Sequence, residues 1–339
     1  MWEYKVLPDP SPLTPKSILP LKHLQNPFIR MTSPTNLKPG FSSPDFSWDN
    51  YIKYRPAYPY SLWKRIYYYH DSHAGQYSVA HDVGAGAGIA SQDLAPKFRH
   101  VIVSDPNDNY TNIASERLIS QLGSPKEKFT FLQERGEKSS VESATVDMLV
   151  VCEAIHWMDI DLAMEEFARQ VKPGGTLAIL HYGRPIMIDS PRAQEVWDQM
   201  FDVWGERNFY RDEVHTRTIR NGVTGLDVVP FPPENWEHVR RIQINTCGKD
   251  DAFSMSVKHT DPFPSRVGKE DVKEWLEDDA DWLDEKYVQW LKGLFASFIP
   301  AIPEGEIREL WDEMEDAVGK GKRVKFTWPV VQLLATRRE

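Results

Sequence analysis

Asp82, Gly84, Gly86 and Gly88 follow one another at alternate positions in the segment VAHDVGAGAGIAS, Val79 to Ser91, just after an apolar run. Glycine has no Cβ, so a ligand can come close to the backbone where a strand turns into a helix. The first N–H groups of that helix are unpaired and attract negative charge. The chemistry this suits is the holding of a nucleotide-type ligand, although a glycine-rich turn also serves simply to end a strand. Asp105 comes 21 residues after Gly84, at the end of the next strand signal, where a carboxylate can accept both hydroxyls of a ribose. Asp105-Pro106-Asn107 would also make a good turn. Its coincidence with the glycine segment favours the ribose.

The spacing narrows the ligand. A dinucleotide fingerprint, G-x-G-x-x-G, counted from Gly84 and Gly86, wants its third glycine at 89. That position holds Ile89, and the glycine sits at 88. A Walker phosphate loop is excluded because no Gly-Lys-Ser or Gly-Lys-Thr follows.

These residues need strands and helices to position them, and the chain supplies alternating signals. Strands are expected at 77–83, 100–104, 128–133, 146–152 and 176–182, with helices at 87–97, 109–122 and 162–171 between them. Pro173, Gly174 and Gly175 should stop the last helix. Strands separated by helices pair in parallel through right-handed crossovers. The expected fold is therefore α/β, a Rossmann-like doubly wound, mostly parallel sheet.

Before the first strand, FSWDNYIKYRPAYPYSLWKRIYYY is dense in aromatic residues, with Trp48, Tyr51, Ile52 and Arg55 at helical spacing until Pro56 interrupts. It reads either as a helix packed on the core or as a lid over the glycine loop. Residues 1–45 carry nine prolines and no sustained period, and are expected to lack order. After Arg184 the strand–helix rhythm is lost. Residues 185–322 read as a largely helical insert before the last strand, with a strand at 238–246 and a long amphipathic helix from Asp271 to Ile299. Seven of the twelve tryptophans fall in this insert. Such residues are core more often than pocket, yet their number leaves room for an apolar substrate chamber. Residues 323–339 should return to the sheet as an edge strand, where Pro329 is tolerated.

The chain has 339 residues and a net charge of −10. Between Asp271 and Asp316 fifteen acids face four bases, read as a solvated helix face; such a surface repels phosphate backbones, so no nucleic-acid partner is expected. No apolar stretch approaches the roughly 20 residues of a membrane span. Cys152 and Cys247 supply neither a disulfide framework nor a metal-binding set, and point to a cytoplasmic protein without a metal.

HDVGAGAG, VIVSDPN, the acid in RGEKSSVESATVDMLVVCEAIHWMD, and VKPGGTLAIL resemble the ordered motifs of class I S-adenosylmethionine-dependent methyltransferases. YIKYRPAYP, AIHW and WPVVQLLATRR are similar to the small-molecule group related to trans-aconitate methyltransferase. The resemblance implies S-adenosyl-L-methionine as cofactor and S-adenosyl-L-homocysteine as product, on a methyltransferase core of residues 46–184. It also implies roles. Gly84, Ala85, Gly86 and Gly88 would line the methionine part, with Asp82 reaching its amino group. Asp105 would hold the ribose, Pro106 would pack near the adenine, and Gly136 and Glu137 would stand where Glu137 approaches the adenine amino group. Glu153 and Ala154 would face the sulfonium, while Tyr51, Tyr54 and Arg55 would close the lid.

The acceptor would be a small molecule carrying a carboxylate, hydroxyl, thiol or amine, with His156, Trp157 and Tyr182 beside it. A hydroxyl would need a base, and His156 is the nearest candidate, though it also reads as a structural partner of Trp157. Arg184, Arg192, Arg217 and Arg220 could pair with a polycarboxylate. The competing reading is a cofactor-binding protein whose fold serves a non-methylating reaction or a regulatory role.

Overall fold

The alternating signals become alternating elements in the computed structural model, which describes residues 47–107 and 109–339; the stretch 1–45 lies outside the described residues. Helix α1 (Trp48–Tyr54) is capped by Ser47, whose hydroxyl accepts the Asn50 N–H at 3.2 Å, and it ends where Arg55 turns extended before Pro56. Then follow α2 (Tyr60–Ser72), β1 (Val79–Val83), α3 (Ile89–Leu94), β2 (His100–Ser104), α4 (Tyr110–Ser115), β3 (Phe129–Leu132), β4 (Val146–Cys152), α5 (Ile160–Gln170) and β5 (Val171–Tyr182). Strands β1 to β5 pair in parallel in the order β3-β2-β1-β4-β5. Chain direction along the sheet reverses between β1 and β4, and in open α/β sheets ligands bind at the carboxyl ends of the strands beside such a switch.

Alternation along β4 explains the layering. Met148, Val150 and Cys152 pack on one face with Leu62, Leu94 and Leu118 from α2, α3 and the helix continuing α4. Leu149 and Val151 pack on the other with Met164 and Phe167 of α5. Helices thus cover both faces, as a buried parallel sheet requires.

The rest of the chain adds β6 (Ile186–Met187), α6 (Pro191–Asn208), α7 (Glu213–Gly222), β7 (Trp236–Ile244), β8 (Val272–Leu276), β9 (Leu283–Tyr287), α8 (Val288–Ala296), α9 (Arg308–Val318), β10 (Arg323–Thr327) and β11 (Val330–Arg337). The main sheet continues β5-β11-β7-β8, and β6, β10 and β9 form a second, three-stranded sheet. Trp197 and Phe201 of α6 meet Phe295 of α8 edge to face, with ring centres 5.9 and 5.1 Å apart, and Phe295 meets Trp311 of α9 at 5.9 Å.

Three expectations are corrected. The long helix over 271–299 is absent; α-helix forms only at Val288–Ala296, and the acids before it lie on strands, turns and a short 3-10 helix, Ala280–Trp282. Strand β8 is drawn onto β7 in parallel, with Arg240 gripping Glu274 at 2.6 Å and Arg241 gripping Asp271 at 2.7 Å. The apolar spacing there does not mark a core face, since Trp275 is 56% exposed. The final strand is interior, between β5 and β11's other neighbour β7, rather than at an edge. Pro329 is accommodated because it precedes β11, so its missing N–H costs no ladder bond. Finally, α5 stops at Gln170, and Pro173-Gly174-Gly175 lies inside β5.

Candidate active site

The carboxyl ends of β1, β2, β4 and β5 converge on one region. After β1, Gly84, Gly86 and Gly88 all take positive φ, at 69°, 53° and 73°. At Gly84 a Cβ would sit 2.5 Å from the Ala154 methyl, so the turn after β1 and the turn after β4 touch there. Gly88 precedes α3 as its cap. Ala85 donates its N–H to Ser104 at 3.0 Å, tying the loop to β2.

Two buried carboxylates flank this loop. Asp105 accepts the N–H of Gly86 and that of Asn107, each at 3.0 Å, so it makes the turn that its sequence suggests and also braces the glycines. Burial pushes it up to about 6 against these two bonds. Asp82 accepts the Ser91 hydroxyl at 2.6 Å, and burial raises it to about 7. A bound ammonium would reverse that penalty. Pro106 is exposed beside Asp105.

From the N-terminal side, Trp48 of α1 lies over the loop, 3.3 Å from where a Gly86 Cβ would be, and stands edge-on to Tyr110 at 4.4 Å. Arg55 fastens the lid. Its guanidinium lies 3.9 Å above the Phe298 ring and donates to the Ser297 carbonyl at 3.0 Å. Tyr54 points to α8, against Gly293 and Trp290. Gly136 is set by close packing, since a Cβ would come within 2.7 Å of the Met158 sulfur. Glu137 accepts the Asp159 N–H at 3.1 Å and pairs with Arg135.

Beyond β4, Glu153 holds φ at +55°, a strained value for a residue with a side chain. Its carboxylate accepts the Tyr182 N–H at 2.5 Å and lies 3.3 Å from His181 Nδ1. His156 packs beside His181 with ring centres 4.7 Å apart. Burial, with His181 and Arg55 adding, holds it well below the usual histidine range, so it is neutral. Glu153, His156 and His181 place a donor atom each within 4.8 Å of one another. Ligands sharing one zinc ion at about 2.1 Å stand roughly 3.4 Å apart, so the set could close on a cation; here Glu153 accepts the Tyr182 N–H and lies beside His181, whose Nδ1 has no hydrogen-bond partner.

Tyr51, Glu153, His156, His181 and Tyr182 form one wall of a chamber of about 90 Å³. Trp204, Phe253 and Phe298 from beyond residue 185 close it, with His215 and Thr218 of α7. Burial raises both the Tyr51 and the Tyr182 hydroxyl, and the two influence each other. Trp157 stands edge-on to His215 at 5.8 Å. Among the seven tryptophans of the insert, Trp204 lines the chamber, while Trp197, Trp236, Trp282 and Trp311 are core.

The four arginines offered for a polycarboxylate take other work. Arg184 is buried against Asp198 at 2.5 Å, Arg192 bridges Glu195 and Glu313, Arg217 donates to the Trp157 carbonyl at 3.5 Å, and Arg220 pairs with Asp261. Tyr110, His181, His215 and Thr218 belong to the site without having been singled out in the sequence, whereas Trp48 is named there in the lid segment. For His215 a signal existed, an aspartate three residues earlier at a helix start.

A doubly wound sheet with a glycine loop after β1, an acid ending β2 and a chamber beyond β4 and β5 is the arrangement of the class I methyltransferases. Its buried acids suit a ligand with an ammonium group and a ribose diol, the two polar features of S-adenosyl-L-methionine. The Methyltransferase domain family matches residues 81–179. The methyltransferase gedG of Aspergillus terreus is 34% identical over 303 residues, covering 87% of this chain and 92% of its own. The methyltransferase AacuQ of Aspergillus aculeatus is 32% identical over 86% of this chain and 93% of its own. A solved protein of Anaeromyxobacter dehalogenans, described as a proposed type II methyltransferase, shares the fold at 19% identity, with a TM-score of 0.54 over 83% of this chain and 97% of its own. This chain belongs to the class I S-adenosylmethionine-dependent methyltransferases.

Proposed function

We propose that the protein methylates a small molecule held in the chamber between the carboxyl ends of β4 and β5 and the segment 185–322, which serves as the acceptor-binding part. The observation that carries this reading is the chamber itself, built on one side by Glu153, His156 and Tyr182 and on the other by Trp204 and Phe253. S-adenosyl-L-methionine supplies an electrophilic methyl group and leaves as S-adenosyl-L-homocysteine.

The chain's part is positioning and exclusion of water, which can account for much of such a rate. The backbone of Gly84, Ala85, Gly86 and Gly88 with Asp82 holds the methionine end. Asp105 holds the ribose, and Pro106, Gly136 and Glu137 border the adenine. The backbone at Glu153 and Ala154 faces the transferred methyl, with His156, Trp157 and Tyr182 around the acceptor. Tyr51 and Arg55 seal the lid, and Tyr54 anchors it to α8.

No described helix is long and apolar enough to cross a membrane. A net charge of −10 disfavours nucleic acid. Cys152 and Cys247 are both free, which supports a cytoplasmic site of action. Incubation with S-adenosyl-L-methionine and a fractionated small-molecule extract should yield S-adenosyl-L-homocysteine and one product heavier by a methyl group. Tight cofactor binding with no turnover across all fractions would overturn the reading.

A further inference from the structure

Helix α7 turns two buried polar atoms toward the chamber, His215 Nε2 and Thr218 Oγ1, and neither has a hydrogen-bond partner. Each residue is 8% exposed. Three residues apart on a helix, they share one face. Buried polar groups are ordinarily bonded, so such a pair calls for a ligand that completes it.

The other side of the His215 ring is firmly held. Asp212 begins α7 as its cap, accepting the His215 backbone N–H at 2.9 Å, and its carboxylate oxygens lie 2.7 and 2.9 Å from Nδ1. A carboxylate only accepts, so Nδ1 carries a proton, and in the neutral ring the lone pair stands at Nε2. Trp157, edge-on at 5.8 Å, fixes the ring plane. A base whose far nitrogen is oriented by a carboxylate is the arrangement general-base catalysis uses.

The pair also selects the acceptor. A ligand atom meeting both groups must donate to Nε2 and accept from the Thr218 hydroxyl, which a neutral hydroxyl does. A carboxylate has no proton to give and would share the chamber with the Glu153 carboxylate. A phenol, with a pKa near 10, gives its proton to an imidazole more readily than an aliphatic alcohol does. The aromatic rings of Trp204, Phe253 and Phe298 suit its planar body.

Resting on the methyltransferase reading, we infer that His215 and Thr218 form the acceptor site for a phenolic hydroxyl, with His215 as its general base and Asp212 as the positioning residue. The phenol O–H proton passes to Nε2. The oxygen's electron pair takes the methyl carbon and releases the carbon–sulfur pair to sulfur, giving an aryl methyl ether, S-adenosyl-L-homocysteine and an imidazolium balanced by Asp212. The proton then leaves to solvent.

The test uses the whole protein with S-adenosyl-L-methionine and substituted phenols and naphthols of graded acidity, beside carboxylic acids and thiols of like size. With weakly acidic phenols His215→Gln should lower kcat on the order of 10²- to 10⁴-fold, with little change for nitrophenols, which are already ionised. Asp212→Ser keeps a helix cap but frees the ring, and should give the same dependence on acidity with a smaller loss. Thr218→Val should raise the phenol KM. Cofactor affinity and Tm should stay at wild-type values, and calorimetric binding of a naphthol in the presence of S-adenosyl-L-homocysteine should weaken in His215→Gln and Thr218→Val.

A loss uniform across the phenols, or no loss, overturns the base. Methylation of acids or thiols but of no phenol overturns the acceptor class and leaves the methyltransferase reading intact. Cofactor binding without turnover of any probe or extract overturns both.

Discussion

The Asp105 carboxylate reaches across from the end of β2 to accept the Gly86 N–H at 3.0 Å, so one side chain both ends its own strand and fixes the loop after β1. Its second oxygen takes the Asn107 N–H at 3.0 Å. Asp105→Ala removes both bonds to a charged acceptor, each worth about 1.5–3 kcal/mol. Calorimetry should show S-adenosyl-L-methionine affinity falling at least tenfold, with a lower Tm even without ligand. Unchanged affinity would mean that Asp105 is turn chemistry alone.

Gly84 is constrained twice, by φ at +69° and by the Ala154 methyl 2.5 Å from where its Cβ would be. Gly123 shares the positive φ, at 70°, but has nothing within 4 Å. Gly123→Ala should therefore cost only the backbone term, about 1 kcal/mol. Gly84→Ala should cost about 2–4 kcal/mol, because the β1 and β4 turns must also part. Denaturant melts of the two variants separate the terms, and equal losses would refute the close approach.

The cofactor half of the molecule is legible in the sequence because its determinants are local. Glycines at 84, 86 and 88 and an acid at 105 take their meaning from strand ends that apolar runs announce. Residues 271–299 are not legible in that way. Val272, Trp275 and Leu276 are spaced for a helix, but Arg240 and Arg241, some thirty positions earlier, draw Glu274 and Asp271 into a strand pair. The acceptor wall is hidden for a similar reason. His181 sits in a strand that reads as plain core, and its partner Glu153 becomes apparent only when β4 and β5 lie side by side.

Arg55 bolts α1 to the segment after α8 through the Phe298 ring and the Ser297 carbonyl. Losing both contacts removes about 2 kcal/mol, roughly thirty-fold in the closed-to-open ratio. In Arg55→Ala, residues 48–54 should exchange amide hydrogens faster, and S-adenosyl-L-homocysteine should dissociate faster with less effect on its association. Arg55→Lys, which keeps the charge but not the planar stack, should fall between. Protection of α1 unchanged in Arg55→Ala would show that Tyr54 on Gly293 holds the lid by itself.

Two buried groups beside one another on β1 give the ligand-free protein opposite responses to pH. Asp82 ionises near 3.8 when unfolded and at about 7 when folded, pushed up by burial, with Ser91 opposing and Asp105 and Asp93 adding. Its contribution to stability is full below 3.8 and is lost as pH rises through about 7, because the native state keeps a proton that the unfolded chain sheds. His81, bonded to Gln170 at 2.7 Å and Ser104 at 2.8 Å, is lowered by burial from 6.5 to about 4. Its contribution is full above 6.5 and is lost as pH falls through about 4. Stability should therefore decline toward pH 8 as well as toward pH 4. Asp82→Asn should raise stability at pH 8 by up to about 4 kcal/mol and flatten the alkaline limb, leaving the smaller slope from Asp105, which ionises at about 6. The same variant should bind S-adenosyl-L-methionine about tenfold more weakly, since the ammonium loses its anion. Melting curves from pH 4 to 8 with matched calorimetry decide the matter: an alkaline limb identical in wild type and Asp82→Asn would remove Asp82 from the pH response, and an unchanged affinity would remove it from the ammonium site.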